Sequence, residues 1–374
     1  MAGRDRYIKV AGALLTGALA IAGCGKISDA PITSMNMNVM TSETSASQAE
    51  TAGTAEATGT TEATKATVKQ EPFVYDPHPY SSIVATEIAQ DYWDSLYNMI
   101  DAVRAGKDTF ECSSEDAYKW CMDSSYTSNY IPAVCMKITD KSDDGSKPYA
   151  DGIGHIYYKM PVEELTAREA DFEKKIEEVL NATIEKDDTE FEKCLKLYNY
   201  MESNYEYRHE KEDESKLSQE GYIYTTFMRG RGQCIDLSGV YAFLLRQAGV
   251  EALPVGCHDN VDHEWTYVLV NGRGYYIDPT WALKSERATE DLYLTYFMMT
   301  AEIRSDTGCP VDNLVVQLVP EYWLSKSKVK LVADDDRYYT GAETIFESLD
   351  EENKILYYFD DSGVKRELKY GEIE

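Results

Sequence analysis

The chain is poor in positive charge. Of 374 residues, 37 are Lys or Arg against 66 Asp or Glu, a formal net charge of −29. Binding to nucleic acid relies on clustered cations that neutralise phosphates, so that class of function is excluded. Adsorption to an anionic lipid surface is excluded for the same reason. None of the eight cysteines forms a C-x-x-C pair, which removes the usual sequence support for a zinc site. What is present suffices for a packed core: 43% of residues are hydrophobic and 11% aromatic.

The one notable apolar run lies at the start. Arg4, Arg6 and Lys9 precede the small, apolar stretch from Val10 to Ala22, which is too short for a mature membrane span and has the form of a secretory signal. It ends in Ile21-Ala22-Gly23-Cys24, which resembles the lipobox of bacterial lipoproteins. That resemblance implies a signal peptide over 1–23, lipidation at Cys24, and a protein held on the outer face of a bacterial membrane. Removing 1–23 takes away three basic residues and one acidic one, leaving a charge of about −31. The stretch 24–72 is rich in Ser, Thr, Ala and Glu; past Cys24 it has no aromatic residue and no Leu, so it is expected to be a disordered tether. Seven cysteines remain beyond Cys24: Cys112, Cys121, Cys135, Cys194, Cys234, Cys257 and Cys309. An odd number leaves at least one thiol unpaired; Cys112 and Cys121 are close enough in sequence to bridge, and spacing alone does not decide it.

Hydrophobic periodicity divides the remainder into 73–164, mostly helical; 165–310, a mixed core; and 311–374, a small antiparallel β appendage. Helices are predicted over 82–104, 113–122 (capped by Ser113 or Ser114), 165–181 and 188–204, and strands around 131–138 and 153–159. Cys194 falls on an inward helical stripe. Within 341–370 the clearest hairpin is Lys354–Phe359, a turn at Asp360-Asp361-Ser362-Gly363, and Val364–Leu368.

Segment 231–281 carries the chemistry. Leu237, Val240, Tyr241, Leu244, Leu245 and Ala248 mark one face of an amphipathic helix that Gly249 should end. Cys234 then stands at the helix start, where free N–H groups and the helix dipole favour a thiolate. His263–Val270 is a predicted strand, Asn271-Gly272-Arg273-Gly274 a hairpin turn, and Tyr275–Asp278 the return. A two- or four-residue turn places His263 and Asp278 on one face; a three-residue turn separates them. A thiol, an imidazole and a carboxylate so placed form the cysteine version of a catalytic triad.

Gly232-Gln233-Cys234, His263-Glu264-Trp265 and Tyr275-Tyr276-Ile277-Asp278-Pro279-Thr280-Trp281 together resemble the motifs of the transglutaminase-like superfamily. Ile235-Asp236 follows the cysteine where animal transglutaminases have Trp, so the likeness is to the microbial branch. The resemblance implies an α+β fold with a transglutaminase-like, papain-like cysteine protease core. It implies catalysis by Cys234, His263 and Asp278, and no cofactor or metal; Gln233, Trp265 and Trp281 are the substrate-binding candidates, the two tryptophans set against core packing, the commoner role of such residues. The expected activity is hydrolysis or acyl transfer at amide or peptide bonds of proteins or wall peptides. The alternative is a non-catalytic cell-surface binding module on the same fold, for which the many tyrosines would supply an adhesive surface. His258, beside Cys257, belongs to the loop before His263, and Asp334-Asp335-Asp336 to a solvated turn.

Overall fold

The computed structural model describes residues 71–209, 221–258, 261–287, 289–316, 318 and 324–373. The signal, Cys24 and nearly all of the tether lie outside the described residues. Near the start of the described residues, the Phe73 backbone is held on both sides by the Asn181 amide (Phe73 N–H to Oδ1 2.7 Å, Nδ2 to Phe73 O 3.0 Å).

Helices α1 (Gln90–Arg104) and α2 (Glu115–Met122) open the fold. Ser114 caps α2 by accepting the Ala117 N–H. The expected strand at 131–138 is instead a run of turns, with only Ile138–Thr139 extended. Pro132 has no N–H to give a ladder, and local bonds such as Val134 N–H to Ile131 O close the chain on itself. Its apolar side chains are buried all the same.

The long helices α3 (Val162–Thr183) and α4 (Glu190–Asn204) follow, the second opened by a Thr189–Glu192 capping box. A helix that periodicity did not single out, α5 (Tyr222–Arg229), comes next, ending in the left-handed Gly230. Lys175 of α3 donates to the carbonyls of Phe227 and Met228 there, at 2.9 and 3.0 Å.

Helix α6 (Cys234–Gln247) is the centre of the molecule. Periodicity assigned it one apolar face, yet every residue from Asp236 to Gln247 is buried. The reason is that it is covered on more than one side. Helix α4 packs on it, with Tyr241 donating to Cys194 O at 2.8 Å, and Ile223 of α5 presses close to Gly239. Strands β1 (Ala252–Cys257) and β2 (His263–Val270) also pack against it, Thr266 donating to Ser238 O. Cys194 is fully buried on this interface, as its stripe suggested.

Strands β3 (Arg273–Ile277) and β4 (Val315–Val316) complete an antiparallel sheet in the order β3-β2-β1-β4. The β2–β3 turn is the two-residue Asn271-Gly272, both at positive φ (51° and 70°), so Val270 pairs with Arg273 and Thr266 with Ile277. Helix α7 (Pro279–Ala282) follows directly, and later α8 (Ala301–Asp306), capped by Thr300. Strands β5 (Ile345–Asp350), β6 (Ile355–Phe359) and β7 (Lys365–Lys369) form the expected meander. The buried apolar residues from Phe73 to Tyr370 make one continuous core. No helix among the described residues is long and apolar enough to cross a membrane.

Candidate active site

Cys234 opens α6, and Gln233 precedes it as the extended N-cap residue, its N–H bound by Asp236 Oδ2 at 3.0 Å. Gly232 brings the chain in, because a Cβ there would stand 2.5 Å from Thr226 Oγ1. The Cys234 sulfur accepts the backbone N–H of Glu264 and that of Ile235, which sets it against the first residues of β2. The side chain is partly exposed.

His263 begins β2, with Cys257 of β1 as its ladder partner. Its Nε2 bonds Asp278 Oδ2 at 2.7 Å, leaving Nδ1 as the remaining ring nitrogen. The two residues meet because the two-residue turn keeps the parity of the hairpin. Asp278 is fully buried. Its Oδ1 accepts the N–H groups of Thr280 (3.0 Å) and Trp281 (3.2 Å), capping α7. Its N–H donates to Tyr296 O, beyond the ladder.

Trp281 lies flat on the His263 ring, with centroids 4.6 Å apart and planes 13° apart. Trp265 has no exposed surface and packs in the core beneath the imidazole, the packing role set beside the substrate one for it. Both faces of β2 are buried here, and the rings of His263 and Tyr276 and the Arg304 guanidinium lie against the Trp265 indole. Gln233 and Trp281 keep partial exposure.

Arg304 of α8 was not anticipated. It is fully buried; its guanidinium stands 4.3 Å from the Trp265 ring centroid and 4.5 Å from that of Trp281. Its Nη2 is 3.1 Å from Asp278 Oδ2, a charge contact without hydrogen-bond alignment. Six residues of helix carry it, and no motif surrounds it; only the tertiary fold brings it to the hairpin.

The electrostatics follow from burial and pairing. Burial alone would push the Asp278 carboxyl up, but His263 and Arg304, together with the bonds it accepts, outweigh burial and hold it below its ordinary value. Burial pushes the Cys234 thiol up to about 12, and the nearby Glu264 carboxylate adds to the rise. The thiolate expected from the helix start is therefore disfavoured, because desolvation outweighs the helix-end N–H groups. Burial also lifts Asp236, to about 6.

His258 lies on the loop after β1, its Nδ1 on Asp262 and its Nε2 3.5 Å from Glu264 Oε1. Asp335 is not a solvated turn residue: it is buried and pairs with Arg337 (2.8 Å) and Arg273 (3.0 Å). All seven described cysteines are free thiols, Cys112 and Cys121 included.

Residues 177–289, which include Cys234, His263 and Asp278, match the Transglutaminase-like superfamily. Among solved structures, a chain from Cytophaga hutchinsonii called a candidate cysteine protease is 19% identical, with a TM-score of 0.22 over 26% of this chain and 33% of its own. A second, from Parabacteroides distasonis and called a candidate protease, is 13% identical, with a TM-score of 0.24 over 46% of this chain and 38% of its own. This chain thus spans little more than a third of the length of these structures. No curated protein matches it. The likeness to the transglutaminase-like superfamily thus rests on the segment 177–289, which holds all three residues of the site.

Proposed function

We propose that the chain is a cysteine enzyme that attacks amide or peptide carbonyls through Cys234, His263 and Asp278. The observation that carries this is the buried His263–Asp278 pair, 2.7 Å apart, facing the strand start against which the Cys234 sulfur lies. Because burial holds the thiol neutral, its proton passes to His263 Nδ1 as sulfur bonds to the carbonyl carbon, and the carbonyl π pair moves to oxygen. Collapse re-forms the carbonyl, breaks the C–N bond and sends the imidazole proton to the leaving nitrogen. A thioester on Cys234 remains. Water or a second amine, deprotonated by His263, adds to the thioester carbon; collapse breaks the C–S bond, His263 returns the proton to sulfur and the acyl group leaves; water makes the enzyme a protease or amidase, an amine makes it a cross-linker. Asp278 holds the ring and matches the imidazolium charge. The lipobox at Cys24 supports a place on the outer face of a membrane, with protein or wall-peptide substrates.

The high-held thiol is the one feature that favours the alternative, a binding module without turnover. The test is incubation with glutamine-containing peptides and a fluorescent amine, followed by mass spectrometry of the intact protein. The expected result is an acyl adduct on Cys234, absent in Cys234→Ala, with turnover reduced roughly 10³-fold or more in His263→Ala. Peptide bound with no adduct and no turnover selects the binding module.

A further inference from the structure

Arg304 is an expensive residue to bury. Its guanidinium has no solvent exposure and one well-aligned side-chain bond, Nη1 to Thr307 Oγ1 at 2.9 Å. Among the described residues its Nε and Nη2 have no hydrogen-bond partner. Two tryptophan faces and one carboxylate are its surroundings. Buried ion pairs with so few hydrogen bonds are weak stabilisers, because desolvation offsets most of their attraction. An apolar residue would serve packing better, so the charge itself is what this place requires.

Its counter-charge is Asp278 Oδ2, the same oxygen that binds His263 Nε2. Trp281, which Arg304 touches, is also the ring on which His263 lies. The guanidinium thus reaches the imidazole by two routes, one through the carboxylate and one through the indole.

We propose that Arg304 is a positioning residue of the triad, keeping the Asp278 carboxylate charged and fixed on the oxygen that orients His263. This inference rests on the triad reading given under Proposed function. Several other groups face Asp278: His263 from β2, Cys234 from α6, Tyr198 from α4, Tyr296 from the segment that covers β3, and Cys309 beyond α8. Of these, only His263 can add a second positive charge. Without Arg304, burial is opposed only by that ring and by the N–H groups of Thr280 and Trp281, and the carboxyl takes up a proton at higher pH.

Infrared difference spectra locate the protonated-carboxyl band of Asp278 by its loss in Asp278→Asn. In the wild type no such band is expected down to pH 5. In Arg304→Met it is expected to appear at higher pH than in the wild type, and the acid limb of turnover moves up with it, by about one pH unit. Arg304→Lys, which keeps the charge, restores the wild-type spectrum and pH profile. A folded Arg304→Met with neither change overturns the proposal. If Arg304→Met does not fold, the wild type decides: a band at pH 5 that disappears in Asp278→Asn overturns it, and absence of the band supports it. Failure to form a thioester on any substrate leaves the infrared result intact, so failure of the enzyme reading is separable from failure of this one.

Discussion

Asp278 divides its two oxygens between structure and chemistry. Oδ1 caps α7, and Oδ2 faces His263 and Arg304. Asp278→Asn keeps an acceptor for the cap but leaves Arg304 buried without its counter-charge. A loss of about 3 kcal/mol is expected, measured by urea unfolding. Asp278→Ala loses the cap as well, about 1 kcal/mol more. Cys234 gives a second prediction at this scale. Of the seven described cysteines, six are buried and only Cys234 is partly exposed. Iodoacetamide should therefore modify Cys234 alone among them, at a rate that keeps rising well past pH 8.5 because the thiol is held up near 12. Peptide mapping across pH 6–10 reads both outcomes. The position of Cys234 was legible in the sequence as the start of a patterned helix; its protonation was not, since that depends on the buried walls around it. Arg304 was illegible altogether, because a residue in a six-residue helix acquires its meaning only from what the fold lays beside it.

At the scale of elements, the β2–β3 hairpin was the most readable part. Asn-Gly has one favoured short turn, and the turn fixes register and parity together. Helices with clear caps, such as α2 and α4, were found within a few residues of their ends. The turns at 131–138 were misread as a strand because burial made them apolar without giving them a ladder. Helix α6 was assigned a polar face that the packed neighbours on its several sides cover. Gly274 shows what pattern reading passes over. A Cβ on β3 at that position would stand 2.0 Å from Val332 O and 2.1 Å from Tyr267 Oη, where the crossing chain lies directly on the strand. Gly274→Ala should destabilise the fold by about 3 kcal/mol, seen as a lower midpoint in thermal unfolding.

For the molecule as a whole, the tyrosines divide between core and surface: Tyr118, Tyr130, Tyr198, Tyr241, Tyr275 and Tyr370 are essentially buried and build the core, while Tyr80 and Tyr222 are exposed. The global pH response has an identifiable contributor in Glu169. It is buried, its Oε2 has no hydrogen-bond partner among the described residues, and burial pushes it up to about 7 despite Arg104 and Arg168. A carboxyl whose folded value is raised holds its proton more tightly when folded. Stability therefore falls as pH climbs from about 4.5 to 7 and levels off above. Glu169→Gln should be more stable than the wild type by about 3 kcal/mol at pH 8.5 and nearly equal to it at pH 4, by calorimetry.

Glu192 has a consequence in time as well as in space. It is fully buried in the first turn of α4, and its carboxylate binds Lys354 Nζ at 2.9 Å and the Tyr370 hydroxyl at 2.5 Å, partners 162 and 178 positions further along the chain. During synthesis α4 exists long before either partner does. Until the meander is made and docked, any compact intermediate must either bury a bare carboxylate or leave the flank of α4 beside the central helix open to water. The meander is in this sense a latch on the order of folding, closing over Glu192 only once Lys354 and Tyr370 have been made.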